Sequence, residues 1–124
     1  MAKRKSQSDH DNMVDKFAMI LAIGDYQNIR SDVEGWDTPR PVPPRAKNQH
    51  IPDITCNLDV DIIIEVETTD SIQHDHTKSQ WEIFSNYSSQ LNGEFWVVVP
   101  KGSENLAEQR LRSLGLNGIV KSTE

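Results

Sequence analysis

Residues 52–67 read P-D-I-T-C-N-L-D-V-D-I-I-I-E-V-E, and this stretch decides the fold. Two apolar runs lie on either side of a short polar turn near Asp59, which is the pattern of a β-hairpin. If the two strands pair in a register centred on Asp59, Asp53 stands directly opposite Glu65. The stretch therefore predicts an antiparallel hairpin whose open end carries two facing carboxylates.

A third acid extends this acidic end of the hairpin. Side chains in a strand alternate between its two faces, so Glu65 and Glu67 are predicted to project from the same face. Three carboxylates on one face repel one another unless a cation joins them. Because Mg²⁺ and Mn²⁺ prefer oxygen ligands, the pattern predicts a divalent-metal site with Asp53 and Glu65 as ligands.

Composition restricts the class of protein. The chain has 124 residues and a net charge of −6, which disfavours a protein that coats nucleic acid by bulk electrostatics. Its length suits one domain, predicted over residues 13–124. The single cysteine, Cys56, excludes a disulfide framework and is predicted to be buried. Since no apolar run is long enough to span a bilayer, we expect a cytoplasmic protein without a membrane partner.

The first half of the chain is predicted to contain a tail, a helix, a strand and a loop. Residues 1–12 are polar and carry a basic cluster, and they are predicted to be a disordered tail, either simply solvated or touching DNA. A helix is expected from Met13, and a strand within residues 26–36. The apolar stripe of this helix consists of Val14, Phe17, Ala18, Leu21 and Ala22.

Residues 38–49 contain four prolines, which predicts a loop between the first strand and the hairpin. This loop is also the main basic segment of the predicted domain. Its charged side chains either bind a nucleic-acid backbone or serve solubility alone. The candidate DNA-binding residues are Arg40, Arg45 and Lys47.

The second half of the chain alternates helices and strands. A helix is predicted to start at residues 68–70 or at Asp75, and an apolar strand follows at residues 94–100. A further helix capped by Ser103 and a short strand at residues 118–121 complete the chain. The order α-β-β-β-α-β-α-β predicts an α/β fold with a mixed sheet. The inner face of the first of these helices is predicted to carry Gln80, Phe84, Tyr87 and Leu91.

The element order and the P-D…E-V-E pattern resemble the PD-(D/E)xK nuclease-like superfamily, which includes restriction endonucleases and Holliday-junction resolvases. The resemblance covers residues 13–121 and implies a restriction-endonuclease-like α-β-β-β-α-β core with an additional C-terminal helix and strand. Asp53 matches the Asp of the P-D half-motif, and Glu65 matches the (D/E) position. Glu67 stands where the family usually has Lys, and Glu34 is the candidate for the acid that the family takes from its first helix or the segment after it.

The resemblance implies hydrolysis of DNA phosphodiester bonds with Mg²⁺ or Mn²⁺, and a homodimer by analogy with families that cut two strands. Glu67 is then a general base or a second metal ligand. Alternatively, Glu67 marks a degenerate, non-catalytic module that binds DNA or a protein partner. Gln80 is the expected polar residue of the active site, similar to the Q-x-x-x-Y element of RecB-like nucleases, while Lys78 is predicted to face solvent.

Overall fold

The computed structural model describes residues 7–44, 47 and 49–123. Within them the helices and strands follow the predicted order, with one additional short 3₁₀ helix at Thr69–Ser71. None of the described helices is long and apolar enough to cross a membrane. The elements are α1 (Gln7–Ile23), β1 (Gln27–Ser31), β2 (Ile54–Leu58), β3 (Val60–Val66), α2 (Asp75–Gln90), β4 (Glu94–Val99), α3 (Glu104–Leu114) and β5 (Ile119–Ser122).

The five strands form one mixed sheet in the order β1-β2-β3-β4-β5. The first three strands are antiparallel neighbours, while β3, β4 and β5 are parallel and are connected through α2 and α3. Parallel neighbours need such crossover connections, because a tight turn can join only antiparallel strands. The prediction of an α/β fold with a mixed sheet is confirmed.

The hairpin of β2 and β3 has the predicted register. Ile54 pairs with Ile64, and Leu58 pairs with Val60, so the pairing is centred on Asp59. Asp59 has φ 67°, a left-handed conformation that Asp adopts more readily than most residues and that reverses the chain tightly. Continued by one residue beyond β2, the register sets Asp53 beside Glu65.

The sheet lies between two helical layers and therefore has two cores. On one face, Ile62, Ile64 and Val66 of β3 pack against α1. On the other face, Ile63 belongs to the core formed with α2 and α3. Burial on both faces explains why β3 and β4 read as nearly continuous apolar runs rather than as alternating strands.

The first helix begins earlier than the sequence indicates. We predicted a disordered tail over residues 1–12, but α1 starts at Gln7, so that prediction is wrong for residues 7–12. Residues 1–6 of the predicted tail lie outside the described residues. The helix extends to this point because His10 continues its buried stripe four residues before Val14 and seven before Phe17.

The inner face of α2 differs from the prediction by about one residue. Trp81 and Phe84 are fully buried at its centre, while Leu91 is exposed and Gln80 is half-buried. The predicted stripe therefore holds only in part. The rotation places the indole N–H of Trp81 against a carboxylate of the sheet, a partner that apolar periodicity does not reveal. Lys78 faces solvent, as predicted.

Gly93 lies where the chain enters β4 beside β3. A Cβ at this position would overlap the backbone oxygen of Asp61. We expect Gly93→Ala to lower the free energy of unfolding by about 3 kcal/mol, because the two strands must separate to relieve the overlap. Urea unfolding measures this change as a shift of the midpoint.

Gly24→Ala is the matched control for this prediction, since a Cβ at Gly24 meets its nearest neighbour at an ordinary 3.4 Å. The control is expected to change stability by less than about 1 kcal/mol. Equal midpoints for the two variants would contradict the close approach of β4 to Asp61.

Candidate active site

The open end of the β2–β3 hairpin brings Asp53 and Glu65 into direct contact. The backbone N–H of Asp53 donates a hydrogen bond of 3.1 Å to Oε2 of Glu65. Asp53 is 8% exposed and Glu65 is 1% exposed, so both acids lie largely below the surface. The pairing at the end of the sheet therefore brings the two predicted metal ligands to one place.

The Asp53 carboxylate lies just before β2 and continues the hydrogen bonding between β2 and β3 by one side-chain contact. Its Oδ2 accepts a 2.8 Å hydrogen bond from the backbone N–H of Val66. The same oxygen lies 3.2 Å from Nε2 of His10 on α1. Asp53 thus connects the end of β3 to the first helix, and its position is fixed from two directions.

His10 is a site residue that the motif reading missed. It is 4% exposed, and its Nδ1 lies 3.1 Å from Oδ1 of Asp11 while its Nε2 faces Asp53. With both carboxylates ionised, the two contacts are hydrogen bonds only if both ring nitrogens carry hydrogen, which makes the ring a cation. The sequence signal for His10 was its spacing from Val14 and Phe17 on the buried face of α1.

Asp32 is a second acid that the motif reading missed. Its backbone N–H donates to the carbonyl oxygen of Asp53 at 2.9 Å, immediately after β1. The pKa of Asp32 is raised above its usual range, first by burial and then by the negative charges of Asp53 and Asp11, while His10 acts in the opposite direction. A carboxyl group surrounded by acids resists losing its proton.

Glu34 was the predicted secondary acid, but it is exposed, and among the described contacts none joins it to Asp53 or Glu65. Asp32, two residues earlier, lies beside Asp53, and the predicted role of Glu34 stays a prediction. The difference arises because β1 ends at Ser31, so the residue directly after the strand lies beside Asp53.

Glu67 is completely buried on the α2 side of the sheet. Its Oε1 accepts a 2.6 Å hydrogen bond from the hydroxyl of Ser71, and its Oε2 accepts a 3.2 Å hydrogen bond from Nε1 of Trp81. Both carboxylate oxygens therefore hold structural donors. A general base or metal ligand needs an oxygen turned toward substrate or ion, so the predicted role of Glu67 stays a prediction that would require these two hydrogen bonds to rearrange.

Gln80 does not join the Asp53–Glu65 pair in any described contact. It lies on α2, half-buried, and its Oε1 is a buried atom without a hydrogen-bond partner among the described residues. The predicted role of Gln80 as an active-site residue thus stays a prediction. Phe84, where the similar nuclease element has a tyrosine, is buried in the core.

The predicted basic residues are only partly described. Arg40 is exposed and lines a cleft beside the sheet, and Lys47 is exposed. Arg45 lies outside the described residues. Cys56 is buried, and burial raises the pKa of its thiol to about 12, so at neutral pH it stays protonated and is a poor nucleophile.

A metal site at this end of the sheet would have to be an open one. Among the described residues, no group of three or more His, Cys, Asp or Glu side chains is arranged to hold one ion. Mg²⁺, however, is commonly held by one or two carboxylates together with waters and substrate phosphates. Asp53 and Glu65 supply two hard carboxylates of the required kind.

Comparison with known proteins finds no matching family model, no similar curated protein and no similar solved structure. The functional interpretation therefore depends on the geometry of this chain alone. That geometry joins the backbone N–H of Asp53 to the Glu65 carboxylate at the end of a mixed sheet, with His10 and Asp32 beside Asp53.

Proposed function

We propose that this protein is a nuclease-like domain that hydrolyses DNA phosphodiester bonds at the Asp53–Glu65 end of the sheet, with Mg²⁺ or Mn²⁺. The observation that carries the proposal is the contact of Asp53 with Glu65, made at the end of a hairpin with the predicted register. The α-β-β-β-α-β-α-β order, with β1, β2 and β3 antiparallel and β4 parallel to β3, supports a restriction-endonuclease-like core.

In the proposed mechanism the acidic residues have different roles. Asp53 and Glu65 would hold the ion, which would supply polarisation of a water molecule and compensation of negative charge on the phosphate. His10 orients the Asp53 carboxylate through their 3.2 Å contact. Asp32 is exposed and lies beside Asp53, whereas both Glu67 oxygens face buried donors, so Asp32 is the better candidate to accept a proton from water.

A non-catalytic module that binds DNA or a protein partner is the second candidate function. The position where similar nucleases have a lysine holds Glu67, whose two oxygens are occupied by Ser71 and Trp81. Position 67 therefore supplies no cation to stabilise a transition state, and this favours the second candidate. Under this alternative the protein retains the nuclease-like fold and the acidic pair but does not catalyse hydrolysis.

Metal titration tests the proposal. We expect Mg²⁺ or Mn²⁺ at ten times its dissociation constant to stabilise the protein by about 1.4 kcal/mol, because the ion binds only the folded state. For a domain of this size that change corresponds to roughly 5 °C in Tm. Differential scanning fluorimetry in EDTA and then in each metal measures the shift, with K⁺ at equal ionic strength as the control.

Cleavage assays separate the two candidates. Plasmid, single-stranded and branched DNA are incubated with the protein and each metal, and the products are resolved on gels. Metal stabilisation together with cleavage supports the nuclease, whereas DNA binding without metal stabilisation or cleavage supports the module. Cutting of both strands would call for two copies of the chain, and light scattering tests the proposed homodimer.

A further inference from the structure

The proline-rich segment and the sheet enclose a cleft of about 520 Å³ on the side of β1 and β2. Its walls include Arg30 of β1, Arg40 and Pro41 of the loop, and Tyr87 near the end of α2. We call it the Arg30–Arg40 cleft. Its volume lies within the range of small-molecule sites, roughly 300–1,000 Å³.

Within the part of the chain that the structure describes, the two arginines of this cleft form no ion pair with a carboxylate. Among the described residues the ion pairs are those of His10, so neither Arg30 nor Arg40 has a carboxylate within ion-pair distance, although Asp37 also lines the cleft. Arg30 is half-buried and donates one hydrogen bond, from an Nη atom to the Thr38 carbonyl oxygen at 3.2 Å. A half-buried guanidinium has five donors in a fixed fork, and an anionic group with two oxygens matches that fork well.

The remaining walls favour a ligand with a planar, partly polar body. Ile63 and Tyr87 provide apolar and aromatic surface, and Asp61 lies at the same cleft as an acceptor. A phosphate alone would be repelled by Asp61, whereas a base with an exocyclic amino group can donate to it. Aromatic side chains that border basic grooves are typical platforms for nucleobases.

The cleft and Glu65 of the candidate active site lie on the same face of one strand. Asp61, Ile63 and Glu65 share one face of β3, because side chains two residues apart in a strand point to the same side. At about 3.3 Å per residue, the floor of the cleft begins about 7 Å from Glu65 and extends to about 13 Å. This span is about two to four nucleotide steps along a duplex strand.

We propose that the Arg30–Arg40 cleft binds a nucleotide of the substrate strand, with its phosphate on the two arginines and an amino-bearing base near Asp61 and Tyr87. The inference rests on the proposed function, since the nucleotide belongs to the strand that is cut beside Asp53 and Glu65. It adds the class of substrate, an unpaired cytidine- or adenosine-type nucleotide, and it adds Arg30, Asp61 and Tyr87 to the binding residues.

Binding in EDTA tests the cleft without cleavage. The probes are dCMP, an eight-residue oligodeoxycytidine and an eight-residue oligothymidine, followed by fluorescence anisotropy for the oligonucleotides and amide NMR shifts for all three. We expect the cytidine oligomer to bind, with shifts at Thr55 and Ile63. Shifts with dCMP as well indicate a site that also takes the free nucleotide, and shifts with the oligomer alone indicate a site that requires a strand.

Arg40→Gln is expected to weaken oligonucleotide binding about tenfold, because it removes one charged hydrogen bond to phosphate. It should also lower the slope of log K against log salt by nearly one. Arg30→Gln should act in the same direction, and Asp61→Asn should reduce the preference for cytidine over thymidine. Arg112→Gln, an exposed change in the last turn of α3, is the matched control.

Three results would overturn the inference: no binding, NMR shifts only outside the cleft, or Arg40→Gln and Arg112→Gln with equal affinities. Equal affinity for the two oligonucleotides would remove Asp61 from the base-binding role. The failures are distinguishable from those of the proposed function. Binding in the cleft without metal-dependent cleavage refutes the nuclease alone, whereas cleavage that is insensitive to Arg40→Gln and Arg30→Gln refutes the cleft alone.

Discussion

Asp53→Asn should reduce metal-dependent DNA cleavage at least about 10³-fold, equivalent to roughly 4 kcal/mol of transition-state stabilisation. The substitution replaces a charged metal ligand by a neutral amide. The same change should abolish the increase in Tm that Mg²⁺ or Mn²⁺ produces in the unmodified protein, since the ion loses one of its two carboxylates.

The fold should tolerate Asp53→Asn because the amide retains an acceptor oxygen. Asn can accept the hydrogen bond that Val66 N–H donates at 2.8 Å, and the backbone N–H of residue 53 still reaches Glu65. Amide NMR spectra in EDTA should therefore stay close to those of the unmodified protein. The loss of one negative charge should also lower the pKa of Asp32, which the Asp53 charge helps to raise.

Asp59→Asn is the matched control for this prediction, as it makes the same chemical change at the tip of the same hairpin. Asp59 is exposed and has φ 67°, a conformation that Asn also accepts. The control should cleave and bind metal like the unmodified protein. Full activity of Asp53→Asn, measured with the Asp59→Asn preparation alongside, would remove Asp53 from the reaction.

The hairpin and its register could be predicted because the information is local. The two-residue repeat of strand side chains and one turn residue at Asp59 suffice to set Asp53 against Glu65, and the structure joins the two residues by a hydrogen bond. The element order was predictable for the same reason, since each helix and strand carries its own periodicity. These features need no knowledge of how distant segments pack.

His10 and the partners of Glu67 could not be predicted in this way. His10 reaches Asp53 only because α1 packs on the sheet across 43 positions of sequence. Trp81 reaches Glu67 only because α2 is rotated by about one residue from its apolar stripe. Both contacts depend on tertiary packing. The two-residue period of a strand predicts on which side of the sheet Glu67 lies, but not which donors it meets there.

Glu67→Ala should destabilise the protein by about 3 kcal/mol, the second large effect that we expect. The change leaves the Trp81 Nε1–H and the Ser71 hydroxyl buried without their acceptor, and each such loss costs about 1–3 kcal/mol. For a domain of this size the Tm should fall by roughly 10 °C. Urea unfolding and scanning calorimetry measure both quantities.

Glu94→Ala is the matched control, because Glu94 also accepts a hydrogen bond from an indole, that of Trp96 at 2.9 Å. Glu94 is half-buried at the start of β4, so water can replace its oxygen. Its loss should cost less than about 1 kcal/mol. Equal losses for the two variants would contradict a special contribution from the buried Glu67.

Glu67→Gln distinguishes a structural role from a catalytic one. The amide retains one acceptor oxygen but turns its NH₂ group toward the second donor, so stability should fall by about 1–2 kcal/mol. If Glu67 only holds Trp81 and Ser71, kcat per folded molecule should change less than threefold, whereas loss of a general base lowers it about 10²–10⁴-fold. A double-mutant cycle of Glu67→Ala with Trp81→Phe should give a coupling free energy of about 1 kcal/mol or more, since the two side chains share one buried hydrogen bond.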